Sequence, residues 1–233
     1  MKFMNTLIVA AHPDDEVLGV GGTIPLIRRS GGKVSVLIVT DGSSAQYESD
    51  REILVRKQGQ AAEANRLLGV EELIHWDFPD MKLDTVPHID LNRAFERLFA
   101  DNKYDSVFVQ SVGDINLDHR LINHSVMVAA RPTPGQPVRA LLSYFVNSSS
   151  EWGARAPHTT FCPNYYIDIG ETIETKLQAM AAYADELRDA PHPRSLEAIR
   201  QRAAVMGQEV GYHYAEAFHL ICYRGPLDDS RES

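Results

Sequence analysis

The stretch NTLIVAAHPDDEVLGVGG, Asn5–Gly22, decides the fold class. Its first part, NTLIVAA (5–11), is an apolar run that stops at His12, which is how a strand buried on both faces reads. Beyond His12 stand three consecutive acids, Asp14, Asp15 and Glu16. Carboxylates crowded at the end of a buried strand are costly unless water, a cation or a proton offsets them. From residue 16 to 30, Val17, Leu18, Ile24, Leu26 and Ile27 recur at roughly helical spacing, up to Gly31-Gly32. The segment reads as strand, charged turn and helix.

The same rhythm continues outward. Strands are expected at 33–42, 71–76 and 104–110, and helices at 51–70, 88–100 and 117–132, with Gly69 and Pro132 as stops. Strands alternating with helices mean an α/β fold with a mostly parallel sheet flanked by helices, built by right-handed crossovers. After residue 132 the pattern loosens into a smaller, irregular C-terminal part. Short strands are expected at ALLSYFV (140–146) and YYIDI (165–169), helices at 171–188 and 195–208, and a late strand at 215–224. The tail GPLDDSRES (225–233) is polar and expected to fray. The whole chain, 1–233, reads as one domain: a βαβ-rich half to residue 132, then strands, helices and substrate loops to 224.

Composition narrows the partners. A net charge of −9 argues against a nucleic-acid or anionic-membrane surface. No run approaches the ~20 apolar residues of a membrane span, and the N-terminal stretch lacks a signal h-region. A cytoplasmic protein is expected. Cys162 and Cys222 match no CxxC spacing and read as buried apolar residues.

In open α/β sheets, ligands bind outside the carboxyl ends of the strands. His12, Asp14 and Asp15 end the first strand, Asp41 the second, and SVGDINLDH (111–119) follows the fourth. Three strand ends thus send polar residues to one rim. GVGGT (19–23) resembles part of a dinucleotide fingerprint, but the turn itself holds Pro13, Asp14, Asp15 and Glu16, whose charge would repel a diphosphate. The glycines serve close packing of the helix on the sheet, or approach of a substrate. His and Asp together suit a divalent transition ion, zinc first, with iron, cobalt and manganese (Fe2+, Co2+, Mn2+) also acceptable to such donors. His12 and Asp15 supply two ligands. For a third, His119 lies nearer the strand end than His124, which five residues on would face another way.

AHPDDE (11–16) followed by NLDHR (116–120) resembles the PIG-L/LmbE-like family of zinc-dependent N-acetylglucosaminyl deacetylases. FCPNYYIDIGETIETKLQAMAAY (161–183) and the later HPRS and GYHYAEAFHLI stretches resemble bacterial members. The resemblance implies a Rossmann-like fold, a metal-activated water, and removal of an N-acetyl group from an amino sugar or sugar conjugate. Carried over by position, the metal ligands are His12, Asp15 and His119, and the general base is Asp14. Self-association, common in the family, is a further implication. Many members place an oxyanion-stabilising His three residues before the last ligand; here that residue is Asn116, which donates a hydrogen bond but no proton. Candidates for the vacant role are Asn116 itself and His192, in a Pro-flanked loop. Asp118 either orients a ring or caps the helix. Asp41, Arg56 and Trp152 are the candidate sugar contacts. The alternatives are a metal hydrolase of another amide or ester, and a weakened homologue that only binds sugar.

Overall fold

Strand β1 (Asn5–Ala10) sends successive side chains to opposite sides: Ile8 and Ala10 enter one core, Leu7 and Val9 the other, all fully buried. β2 (Lys33–Thr40) and β4 (Ser106–Gln110) repeat the division, with Ile38 and Phe108 on the first side and Val39 and Val109 on the second. A strand covered on both faces must be apolar throughout, which is why these elements stand out in the sequence. The structure is a computed structural model that describes residues 1–42, 51–153, 156 and 159–225. Most of the C-terminal tail and part of the loop before Thr159 lie outside the described residues.

The remaining strands are β3 (Glu72–Phe78), β5 (Ala140–Tyr144), β6 (Tyr165–Asp168) and β7 (Ala215–Tyr223). They form a seven-stranded sheet in the order β3-β2-β1-β4-β5-β7-β6. β3 through β5 in that order are parallel, and β7 runs antiparallel to both its neighbours. Helices α1 (Asp15–Val20), α2 (Thr23–Arg29), α3 (Arg51–Leu68), α6 (Ile173–Ala182) and α7 (Leu196–Gln208) cover the first core. Helices α4 (His88–Asn102) and α5 (Leu117–Ala129) cover the second. The strand order reverses between β1 and β4. That topological switch point opens a crevice at the carboxyl ends of the strands.

Three local expectations change. The helix expected over 16–30 is two helices, broken at Gly21-Gly22. Pro25 has no N–H for the Gly21 carbonyl, which ends the first helix locally. The buried Glu216 carboxylate on β7 accepts the N–H groups of Gly22 and Thr23 at the new start, both at 2.8 Å, and pairs with Lys176 Nζ at 2.6 Å. Gly19 lets α1 lie on β5, because a Cβ there would overlap the Tyr144 ring. The helix expected over 171–188 ends at Ala182. Tyr183 turns inward instead, and its hydroxyl donates to Glu16 Oε1 at 2.6 Å. Finally, Cys162 and Cys222 are exposed free thiols rather than core residues. Cys222 lies on the half of β7 that extends past its pairing with β6, and Cys162 lies in a loop.

Candidate metal centre and its cleft

The turn after β1 is built around Asp14, whose φ of 110° is a left-handed conformation rare for a residue with a side chain. The chain then enters α1 at Asp15. Asp15 Oδ2 accepts hydrogen bonds from the His12 N–H at 2.9 Å and from Gln110 Nε2, at the end of β4, at 3.1 Å. His119 comes from the first turn of α5. Asn116 is the N-cap of that helix, its Oδ1 accepting the Asp118 N–H at 2.9 Å. Three elements therefore bring three donor atoms together. His119 Nε2 is 3.3 Å from Asp15 Oδ2 and 3.2 Å from His12 Nδ1, and His12 Nδ1 is 3.5 Å from Asp15 Oδ2.

Those edges test the fit to a metal. A tetrahedral zinc with ligands at 2.0–2.1 Å separates its ligand atoms by about 3.3–3.4 Å. The observed triangle has that size, and both imidazoles turn an outer nitrogen to carboxylates, as metal-bound histidines do. His119 Nδ1 faces Asp114 Oδ2 at 3.2 Å. His12 Nε2 faces Asp80 Oδ1 at 3.1 Å and Asp118 Oδ2 at 3.5 Å. Asp114 is itself held by the hydroxyls of Ser149 and Ser150 and by the Asn116 N–H. Asp118 is not the helix cap. It accepts the N–H groups of Met81 and Leu83, and so ties the loop after β3 to α5. The residues fit a divalent ion held by His12, Asp15 and His119.

The electrostatics point the same way. Burial opposes a charge on His119, yet Asp15 and Asp114 outweigh it and push the imidazole up to about 9. At His12 burial is again outweighed, by Asp118, Asp15 and Asp80, and its pKa rises well above the usual histidine range. Burial raises Asp15, but His119 and His12 hold its carboxyl well below the usual range. Asp14 is pushed well up by burial and by the charges of Asp15 and Glu186, against Arg194. Left to protons alone, the cluster gathers positive charge onto its imidazoles. Glu16, the third acid, braces the turn itself: its Oε2 accepts the Asp14 N–H at 3.2 Å. It is bonded by Tyr183 and Asn65, and burial pushes it up to about 7.

The donor atoms open onto a cleft of about 280 Å³ whose wall includes Asp14, Asp80, Met81, Asn116, Glu186 and Arg194. Of the residues singled out from sequence, His12, Asp14, Asp15, Asn116 and His119 meet here. His124 is exposed on α5. His192 lies outside the wall, where its Nδ1 accepts the Arg194 N–H at 3.1 Å and its ring meets Trp152 edge-on at 6.3 Å. Asp41 lines a neighbouring hollow with Lys57 and Trp76. Arg56 pairs with Asp185 at 2.7 Å on the surface, and the adjacent Lys57 is the α3 residue that reaches the cleft. Asp80, Glu186 and Arg194 were missed. The strand-end argument, extended to β3, finds Asp80; Arg194 lies in the family-like HPRS stretch, 192–195, and nothing local marks Glu186.

Residues 7–130 match the family model described as GlcNAc-PI de-N-acetylase, PIG-L. The chain belongs to the PIG-L family. The match runs from β1 to α5 and contains every donor of the candidate metal centre. The curated diacetylchitobiose deacetylase of Thermococcus kodakarensis is 24% identical to this PIG-L chain, covering 92% of it and 82% of the relative. Among solved structures, the conserved protein TT1542 from Thermus thermophilus is 26% identical with a TM-score of 0.76, covering 98% of this chain and 99% of that one. The N,N′-diacetylchitobiose deacetylase of Pyrococcus horikoshii, solved with an inhibitor, shares the fold at 21% identity and a TM-score of 0.76, over 98% of this chain and 89% of its own. Among the described residues, no helix of this PIG-L member is long and apolar enough to cross a membrane.

Proposed function

We propose that this PIG-L family member is a metal-dependent N-deacetylase that hydrolyses the acetamide of an N-acetylated amino sugar or sugar conjugate. One observation carries the reading: the His12, Asp15 and His119 donor atoms form a triangle of ligand dimensions, with the Asp14 carboxylate beside it in the same cleft. Named relatives that are deacetylases of N-acetylated sugars support it. A divalent ion held by the three residues, zinc before iron, cobalt or manganese, supplies Lewis acidity and brings the pKa of a water from 15.7 towards about 7.

The chain's own residues do the rest. Asp14 accepts a proton from the attacking water as its oxygen bonds to the acetyl carbon. Asp14 then returns that proton to the amide nitrogen as the C–N bond breaks, leaving acetate and the free amine. Asn116 keeps its Oδ1 on the helix backbone and donates one Nδ2 hydrogen to Met81 Sδ at 3.5 Å on the cleft wall, so its second Nδ2 hydrogen is the one to donate to the developing oxyanion. Asp114, Asp80 and Asp118 fix the imidazole orientations.

The test is acetate release from N-acetylglucosamine, N,N′-diacetylchitobiose, a nucleotide-linked N-acetyl sugar and a simple N-acetyl amide, with and without chelator. Release from at least one sugar, abolished by chelator and restored by zinc, is expected. Release confined to the simple amide replaces the sugar reading with a general amidase. Sugar binding without release by the metal-loaded protein replaces it with a binding homologue.

A further inference from the structure

The segment between α6 and α7, residues 183–195, lies beyond the PIG-L match, yet it supplies Glu186 and Arg194 to the cleft wall. One amino group of Arg194, Nη1, stands 2.7 Å from Glu186 Oε2 and 3.5 Å from Asp14 Oδ2. The other Glu186 oxygen is 3.3 Å from Lys57 Nζ, which also donates to the Gly42 carbonyl at 3.0 Å. The result is a row of alternating charge, Lys57, Glu186, Arg194 and Asp14, drawn from three separate parts of the chain. Its three outer members are only 14%, 20% and 23% exposed, so solvent screens the row less than it screens surface pairs.

Asp14 needs such a partner. Its backbone holds an uncommon conformation, its side chain caps no helix, and its charged neighbours include Asp15, Glu16 and Glu186. Among the described residues, Arg194 is the one cation within 4 Å of the Asp14 carboxylate. A base that takes a proton from water and delivers it to nitrogen must keep one orientation, and a misplacement of about 1 Å costs on the order of 100-fold in rate.

We propose that Arg194, braced by Glu186 and through it by Lys57, is a positioning residue that aims the Asp14 carboxylate into the cleft. The kinetic consequence rests on the deacetylase reading; the structural one does not.

Arg194→Met, Arg194→Lys and Glu186→Gln are compared with the parent in two ways. In crystal structures of the zinc-loaded proteins, Arg194→Met is expected to let the Asp14 carboxylate move by about 1 Å or more, with the metal ligands unmoved. With N,N′-diacetylchitobiose as probe, kcat is expected to fall about 100-fold in Arg194→Met and less in Arg194→Lys and Glu186→Gln, with KM and bound zinc unchanged. In an Asp14→Asn background, Arg194→Met should cost little more, because it acts through the side chain already removed. An unmoved carboxylate overturns the proposal. So does a loss that appears in KM alone, or one as large in the Asp14→Asn background as in the parent. Should Arg194→Met fail to fold, Arg194→Lys carries the same readouts. A parent with no turnover of the probe counts against the deacetylase reading for that sugar, and the crystal comparison still decides the role of Arg194.

Discussion

Asp15 and Glu216 are equally buried carboxylates, 2% and 4% exposed, and they are neutralised in opposite ways. Glu216 is answered entirely from within the fold: two N–H groups of α2 and the Lys176 ammonium meet it at hydrogen-bond distance. Asp15 receives one main-chain N–H and Gln110, but its charged partners are two imidazoles whose own nitrogens face each other at 3.2 Å. The first arrangement is complete as it stands. The second holds together only with a proton or a metal shared among its members. Burial alone therefore does not separate a structural acid from a candidate metal ligand; the nature of the partner does.

Substitutions sharpen this contrast. The largest expected effect is at the working cluster: Asp14→Asn should lower kcat for acetate release by about 10²–10⁴-fold while zinc stays bound, measured by turnover beside metal content. At the structural cluster the currency changes from rate to stability. Lys176→Met leaves Glu216 buried with its cation gone, and should cost about 3–5 kcal/mol in a urea titration, with turnover per folded molecule kept. If that variant instead lost turnover at full stability, the division between the two carboxylates would be wrong. Asp114→Asn touches the working cluster from behind. It should weaken zinc by about 10–100-fold in a chelator competition, because the His119 ring loses the carboxylate that orients it. Smallest is Arg56→Ala. Its pair with Asp185 is on the surface, so stability should change by less than about 1 kcal/mol. A clear rise in KM in that variant would mean that Arg56 leaves Asp185 for the substrate.

The same contrast explains what could be read from the chain. β1, β2 and β4 are legible because both faces of each are buried, and each announces itself as an apolar run. His12, Asp14, Asp15 and His119 are legible because strand ends at the switch point converge, and because the motif around them is specific. The break at Gly21-Gly22 is announced by Pro25, which has no N–H for the Gly21 carbonyl, but the seating of the new helix start on Glu216, 194 residues away in sequence, is not legible. The early end of α6 depends on Tyr183 finding Glu16, a pairing no helical periodicity reports. Arg194 lies in the family-like HPRS stretch, yet only the path of residues 183–195 places it beside Asp14. Asn116 shows the reverse case. Its sequence position suggested a missing catalytic histidine, and the structure adds a second occupation for the residue, the N-cap of α5.

The φ of 110° at Asp14 has a consequence for the lineage of this chain. A side chain held there costs on the order of 1–3 kcal/mol, whereas glycine adopts such angles freely. Asp14→Gly should therefore melt at a higher temperature than the parent while losing turnover. A descendant released from any need for this carboxylate and carrying glycine here would be a sturdier protein with the His12, Asp15 and His119 triangle left in place.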